Sequence, residues 1–99
     1  MLLLDKYITD IDRLCASHKV RQLFIFGSAL SDRFTHDSDV DFIVDFEPMA
    51  LSQYADNYYD LKFSLQDILQ RPIDLLEAQA IKNPYFKKAV DGQKKMIYG

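Results

Sequence analysis

The chain has 99 residues, enough for one domain with a single core. Hydrophobic residues make up 48% and charged residues 27%, so the composition is globular rather than disordered. The single cysteine, Cys15, excludes an internal disulfide, and the apolar run at residues 2–4 is too short for a signal peptide or a membrane span. We therefore expect one domain over residues 1–99, located in the cytoplasm and not in a membrane.

The charge is unevenly distributed along the chain. The formal net charge of −3 argues against a dedicated duplex-DNA binder, so direct nucleic-acid binding is not expected. Residues 1–50 hold nine acidic and five basic residues, whereas residues 80–99 hold five lysines and one aspartate. An acidic half and a basic tail suggest that a cation and an anionic ligand belong to this protein.

The first elements alternate between helix and strand. Apolar residues at helical spacing predict a helix over residues 2–18 that buries Cys15. Residues 20–26 are rich in β-branched and aromatic side chains and predict a strand that ends at Gly27-Ser28. A short helix and then a polar loop are expected between that break and residue 38.

Residues 39–46, DVDFIVDF, predict a second strand because apolar and acidic residues alternate. Successive side chains of a strand point to opposite faces, so the two sets separate. One face holds Val40, Phe42, Val44 and Phe46, and the other holds Asp39, Asp41, Ile43 and Asp45.

The second half predicts a long helix over residues 50–70, a strand over 72–76, a helix entered at Asn83-Pro84 and ended by Gly92, and an edge strand over 94–98. The whole order indicates an α/β (α+β) fold in which helices flank a small mixed sheet. The long helix has an apolar stripe formed by Leu51, Tyr54, Ala55, Tyr58, Leu61, Leu65, Ile68 and Leu69.

An aromatic pair, Tyr59 and Phe63, lies outside the apolar stripe of the long helix. The pair either covers another part of the domain or contacts another chain, and the sequence leaves both possibilities open. The basic stretch between Lys82 and Lys95 is a second candidate contact surface.

The acidic face of the second strand is the most informative feature. Asp39 and Asp41 point the same way, roughly 6–7 Å apart. Two like charges repel by about 1 kcal/mol in water and about 4 kcal/mol near a protein surface at a separation of about 4 Å. A divalent cation would offset this repulsion, and carboxylates are ligands that Mg²⁺ prefers. On this pair alone, a solvated acidic strand face is the favoured interpretation.

Two further features favour a metal-dependent site. Gly27-Ser28 stands where a strand passes into a predicted helix, and free backbone N–H groups there suit a phosphate. Asp74 interrupts the apolar strand PIDLL, and a buried carboxylate is costly unless it is paired or binds a metal. If the third strand lies beside the second, Asp74 joins Asp39 and Asp41. Three carboxylates and a phosphate cradle are the parts of a two-metal phosphoryl-transfer site.

Other acidic and phosphate motifs fit less well. The stretch beginning at Asp37 starts like an EF-hand loop, but Phe42 and Pro48 occupy the positions that require Gly and Glu. No Gly-Lys-Ser/Thr ending of a P-loop is present in the sequence.

Residues 27–46, GSALSDRFTHDSDVDFIVDF, resemble the signature of the minimal nucleotidyltransferase (MNT) family, in the DNA polymerase β superfamily. The signature is Gly-Ser, a spacer of about nine residues and Ser-Asp-x-Asp on an apolar strand, with a third Asp on a later strand, which RPIDLLE supplies. The resemblance extends over nearly the whole chain. It implies the polymerase β-like nucleotidyltransferase fold and a single minimal domain over residues 1–99.

The resemblance also implies roles for individual residues. Gly27 and Ser28 would hold the terminal phosphates of the nucleotide. Asp39 and Asp41 would ligate two Mg²⁺ ions, and Asp74 would ligate the catalytic ion and help to activate the attacking hydroxyl. The implied reaction transfers AMP from ATP and releases pyrophosphate.

The family further resembles the antitoxin half of HEPN–MNT toxin–antitoxin pairs. This implies a HEPN-family toxin, a helical ribonuclease, as the partner and one of its tyrosines as the acceptor of AMP. The partner is expected to dock on the aromatic pair or on the basic stretch. The alternative is an antitoxin that blocks the HEPN ribonuclease by contact without catalysis.

Two positions depart from the commonest family pattern. Ala29 and Asp32 stand where many members have Arg and Gly. The missing Arg removes a positive charge near the phosphates, which concerns rate and nucleotide preference rather than fold. A transferase for a small molecule is a third possibility, but such enzymes usually carry an additional substrate domain, for which 99 residues leave no room.

Overall fold

The computed structural model describes residues 6–26 and 39–99. The described elements are α1 (Ile8–Ser17), β1 (Val20–Phe26), β2 (Val40–Phe46), α2 (Leu51–Leu69), β3 (Ile73–Glu77), a 3₁₀ turn (Ala78–Ala80), α3 (Pro84–Gln93) and β4 (Lys95–Tyr98).

All four strands and α2 begin and end within one residue of the ranges that the sequence predicts, and α3 begins at the predicted Pro84. The short helix and polar loop that were expected up to residue 38 lie outside the described residues. Within the described ranges, no helix is both long and apolar enough to cross a membrane.

Two predicted helix ends are wrong. The first helix begins at Ile8, after a 3₁₀ turn at residues 6–7, and its expected first residues lie outside the described part of the chain. Gly92 lies inside α3 and does not end it. The helix ends instead at Lys94, whose backbone is extended and whose N–H still donates to the carbonyl of Val90 at 2.8 Å. An extended end needs no left-handed glycine, so Gly92 has no capping role.

The four strands form one mixed sheet in the order β3-β2-β1-β4. Strands β2 and β3 are parallel and are joined through α2, whereas β1 is antiparallel to both β2 and β4. Parallel neighbours require a crossover connection of this kind. The sheet confirms the predicted α/β class with helices flanking a small mixed sheet.

The main core lies between one face of the sheet and helices α1 and α2. The four alternate residues of β2 that were predicted to share a face are all buried in it, and they pack with Leu61, Leu65 and Leu69 of α2. Leu51, which was placed in the same stripe, is 89% exposed. Ala55 is also exposed, so the stripe is shorter than predicted.

Cys15 is fully buried in this core, as predicted. Burial, together with the charge of Asp12, raises the pKa of its thiol to about 12. The thiol is therefore protonated at neutral pH and acts as a small apolar side chain.

Helices α1 and α2 are also joined by polar contacts around His18, the C-cap residue of α1. Its Nε2 lies 2.5 Å from Oδ2 of Asp60, and its Nδ1 lies 2.7 Å from the carbonyl of Leu14. The side-chain amide of Asn57 donates to the carbonyl of His18 at 2.8 Å. These bonds give His18 a structural role at the helix junction.

Candidate active site

One residue from each of β1, β2 and β3 forms a row across the sheet face opposite α1 and α2. The row consists of Phe26, Asp41 and Asp74, and we call it the carboxylate row after its two aspartates. Phe26 of β1 pairs with Asp41 of β2, and Asp41 pairs with Asp74 of β3. Paired residues of neighbouring strands point to the same face and lie about 5 Å apart. The structure therefore confirms the prediction that the third strand brings Asp74 beside Asp41.

Asp39 precedes Asp41 by two residues, so it follows the same strand face about 7 Å further along. Asp39 and Asp74 are exposed, whereas Asp41 is only partly so. Burial, and then the charges of Asp74 and Asp39, raise the pKa of Asp41 above its ordinary value. The three carboxylates thus act on one another electrostatically.

The carboxylate row has the ligand chemistry of a divalent cation site. Hard oxygen ligands suit Mg²⁺, and a cation here would offset the burial and the neighbouring charges that raise the pKa of Asp41. Within residues 6–26 and 39–99, however, no three Asp, Glu, His or Cys side chains stand close enough together to form a coordination shell as placed. The residue types and their register fit such an ion, and the side chains are not closed around one.

Gly27 and Ser28, the predicted phosphate-binding residues, lie outside the described part of the chain. Phe26 is the last residue of β1 and pairs with Asp41, so Gly27 directly follows the carboxylate row in sequence. Their phosphate-binding role stays a prediction.

A second row lies on the same sheet face, two residues further along each strand. It consists of Phe24, Ile43 and Leu76, which pair with one another across β1, β2 and β3, and we call it the apolar row. Ile43 is 1% exposed because α3 crosses this face. A cavity of about 200 Å³ lies between this sheet face and α3, and Ile43 and Val90 of α3 are among the residues that line it. The alternation of β2 placed Ile43 among the acids, but nothing in the sequence showed what covers it.

The helix α3 is also tied to this face by a cation–π contact. The Nζ of Lys94 lies 4.2 Å from the centre of the Phe24 ring. Helix α3 therefore covers the apolar row and leaves the carboxylate row beyond it.

Tyr58 is a site-positioning residue that the sequence did not reveal beyond its place in the apolar stripe. Its hydroxyl donates to the carbonyl of Leu75, the residue after Asp74. The Val40 N–H donates to the carbonyl of Pro72 at 3.2 Å, so the Pro72 carbonyl points towards β2. Carbonyl directions alternate along a strand, so the carbonyl of Leu75, three residues later, points towards the open edge of the sheet. Tyr58 thus satisfies an edge carbonyl and holds β3, with Asp74, against α2.

The hydroxyl of Tyr58 remains a donor at neutral pH. Burial, and then the charges of Tyr59, Glu77 and Asp74, raise the pKa of Tyr58. Tyr54, one turn earlier, stacks on Tyr58 with ring centres 6.5 Å apart. The buried hydroxyl of Tyr54 lies near Glu77 but makes no hydrogen bond of good geometry to any described residue.

The comparison with known proteins identifies the family. The chain matches the model of the polymerase beta nucleotidyltransferases over residues 9–99. It is 35% identical over 75 residues to a protein of Methanocaldococcus jannaschii named "Putative protein adenylyltransferase", covering 75% of this chain and 72% of that protein. A second protein of the same name and organism is 36% identical over 74 residues. The chain therefore belongs to the polymerase beta nucleotidyltransferase family, and its activity is that of a nucleotidyltransferase.

Solved structures share the fold. A "putative minimal nucleotidyltransferase" aligns with a TM-score of 0.76 and 24% identity, covering 93% of this chain and 90% of that one. A toxin–antitoxin complex with AMP-PNP aligns with a TM-score of 0.70 and 20% identity, covering 93% and 73%. A complex of a tri-AMPylated Shewanella oneidensis HEPN toxin with its MNT antitoxin aligns with a TM-score of 0.66 and 18% identity, covering 98% and 73%. These likenesses confirm the polymerase β-like fold.

We predict that Tyr58→Phe lowers the free energy of unfolding by about 0.5–1.5 kcal/mol, the usual net value of one hydrogen bond. Urea denaturation measures this change. The matched control is Tyr54→Phe, which removes a hydroxyl that lies near Glu77 without a hydrogen bond of good geometry to any described residue, and it is expected to cost less stability than Tyr58→Phe. Equal losses in the two variants would contradict the assigned role of Tyr58.

We predict that Asp41→Asn raises the free energy of unfolding at pH 7 in the presence of a chelator. Because the folded pKa of Asp41 is raised, the folded state keeps its proton to higher pH than the unfolded chain. Stability therefore falls as pH rises through the interval between the ordinary value and the raised one. Asn cannot ionise, so the variant escapes this loss.

The gain should be present at pH 7 and absent at pH 3, where Asp41 is protonated in both states. Asp45→Asn is the control on the same strand face, since Asp45 has a compensating partner in Arg21 at 3.0 Å and should show no gain. A gain of the same size at both pH values would argue against the electrostatic origin.

Proposed function

We propose that this nucleotidyltransferase depends on Mg²⁺ and transfers AMP from ATP to a tyrosine hydroxyl of a HEPN-family toxin, so that it acts as the antitoxin of the pair. The observation that carries the proposal is the pairing of Asp41 with Asp74 on adjacent parallel strands, with Asp39 two residues away. We further propose that residues 1–99 form a single minimal nucleotidyltransferase domain.

The roles of the carboxylates follow from their positions. Asp39 and Asp41 would hold two Mg²⁺ ions, and Asp74 would hold the catalytic ion. Mg²⁺ bound there would neutralise the phosphate charge and favour ionisation of the attacking hydroxyl. Asp74 is exposed on the edge strand, so an acceptor hydroxyl from another protein can reach it.

The reaction is a displacement at the α-phosphorus of ATP. The tyrosine oxygen forms a bond to that phosphorus, the bond to the bridging oxygen of the β-phosphate breaks, and pyrophosphate leaves. The hydroxyl proton passes to Asp74 or to solvent. Gly27 and Ser28 would hold the β- and γ-phosphates through backbone N–H groups.

Relatives support the donor and the acceptor. The M. jannaschii proteins carry the name of protein adenylyltransferases, and a structure of the same fold is an MNT antitoxin in complex with a tri-AMPylated HEPN toxin. AMP-PNP accompanies another toxin–antitoxin structure of this fold, which supports ATP as the nucleotide.

We predict that Asp39→Asn and Asp41→Asn reduce transfer to background, because each removes a metal ligand. The protein is co-expressed with the product of its neighbouring gene, and the mass of that product is measured. A mass increase of one or more AMP units supports the enzyme. Asp45→Asn, on the same face of β2 but ion-paired with Arg21, should keep the activity.

Retained transfer in both Asp variants would contradict the metal-binding role of Asp39 and Asp41. A partner that stays unmodified, yet bound and inhibited, would instead favour the antitoxin that acts by contact alone.

We predict that Gly27→Val weakens nucleotide binding far more than Ser28→Ala. A side chain at residue 27 would obstruct phosphates that approach the backbone, whereas the backbone N–H of residue 28 survives its substitution. Titration with a fluorescent ATP analogue measures both affinities. Equal losses would argue against a backbone phosphate cradle.

A further inference from the structure

Helix α3 is poorly covered by the rest of the protein. Among its ten residues, Val90 is the one that the structure buries. Tyr85 is 85% exposed and Phe86 is 44% exposed, although both are large apolar side chains. Such a short helix is marginal in isolation and normally depends on packing for its stability. Helix α3 thus presents apolar surface that a partner can bury.

The same region is strongly basic. Lys82, Lys87 and Lys88 are all exposed, and no acidic residue stands between Glu77 and Asp91 in the sequence. We call Lys82, Tyr85, Phe86, Lys87 and Lys88 the α3 surface. Its charge attracts an acidic partner, and its aromatic residues supply apolar contact area.

The position of α3 links this surface to the candidate active site. Helix α3 covers the apolar row, which lies about 7 Å from the carboxylate row along the same sheet face. Phe86 and Leu76 line a cavity of about 300 Å³ together with Ile81 and Lys82. Leu76 belongs to the apolar row, two residues after Asp74 on the same strand face. A chain bound at this cavity therefore contacts the strand about 7 Å from Asp74.

The aromatic pair on α2 has a different setting. Tyr59 and Phe63 are 53% and 58% exposed and stack with ring centres 6.1 Å apart. They share their helix face with Asp56 and Asp60, and α2 lies on the opposite side of the sheet from the carboxylates. This pair does not border the carboxylate row, so it does not present the acceptor to the site.

We propose that the α3 surface docks an acidic, tyrosine-bearing segment of the acceptor protein and delivers its tyrosine to the carboxylate row. The proposal rests on the proposed function in one respect, namely that the acceptor is a protein. The lysines compensate acidic residues of the acceptor that the carboxylates of the site would repel. The cavity under Phe86 takes an apolar side chain of the same segment.

The test measures binding without nucleotide or metal, so its outcome does not depend on catalysis. Fluorescein-labelled poly(Glu,Tyr) is titrated with the protein at low salt and followed by fluorescence anisotropy. We expect Lys82→Glu combined with Lys87→Glu to weaken binding by about tenfold or more. Lys82→Gln combined with Lys87→Gln should weaken it less, and added salt should weaken wild-type binding.

The control for net charge is Lys6→Glu combined with Arg13→Glu at α1, on the other side of the sheet, where both residues are exposed. This variant has the same change in charge and should bind the polymer like the wild type. Phe86→Ala should weaken binding, whereas Phe63→Ala on α2 should not. Circular dichroism verifies that each variant is folded.

Three outcomes would overturn the proposal: no binding of poly(Glu,Tyr), equal weakening by the α1 and α3 charge variants, or α3-dependent binding of poly(U) with none of poly(Glu,Tyr). The last would assign the surface to single-stranded nucleic acid. Failure of transfer to a partner with intact α3-dependent binding would overturn the proposed function and leave the docking surface standing. If the α3 charge variants leave transfer to the partner unaffected, the docking surface is overturned and the proposed function stands.

Discussion

The parallel pairing of β2 with β3 places two carboxylates, Asp41 and Asp74, side by side. The repulsion between them opposes this register, so other interactions must hold it. The apolar residues that alternate with the acids are buried against α1 and α2. A slip of one residue would turn Val40 and Phe42 to the opposite face. Four such side chains of β2 are buried, at roughly 1.5–3 kcal/mol each, and their sum outweighs a surface repulsion of about 4 kcal/mol.

The two faces of the sheet consequently have different roles. The face under α1 and α2 holds a continuous core that includes the fully buried Ile11 and Cys15. The opposite face is covered only in part, because α3 buries just Val90 and lies over the apolar row. In the part of the chain that the structure describes, the carboxylate row therefore lies on a sheet whose other face is buried, and Asp74 of the row is exposed. A transferase that modifies another protein needs both properties.

Edges of the sheet matter as much as its faces. Among residues 6–26 and 39–99, no strand lies on the outer side of β3, and α2 packs against it. Tyr58 supplies one hydrogen bond at that edge, next to Asp74. Burial, and then the charges of Asp74 and Asp39, raise the pKa of Asp41, so the ionised carboxylate is held there at a cost in stability. Such a cost is usual where residues are arranged for function rather than for the stability of the fold.

The sequence by itself determined the local features of this protein. Alternation in β2 separated the acids from the core residues, and helical periodicity located α2. The capping signal Asn83-Pro84 located the start of α3, where Asn83 accepts from the N–H groups of Tyr85 and Phe86. These signals succeed because they depend on side chains a few residues apart. The same dependence explains the errors at Leu51 and Gly92, since exposure and helix ends are set by neighbours distant in sequence.

Only the tertiary structure decided the arrangement of the site. The pairing of Asp41 with Asp74 joins residues separated by the whole of α2, and the sequence offered it only as a condition on strand order. The local sequence pattern did not indicate that α3 covers Ile43. It also did not indicate the hydrogen bond from Tyr58 to the carbonyl of Leu75. Choosing between the α2 and α3 surfaces also required knowing which helix shares a sheet face with the carboxylates. Each of these depends on strand register and layer order, which arise when distant segments pack together.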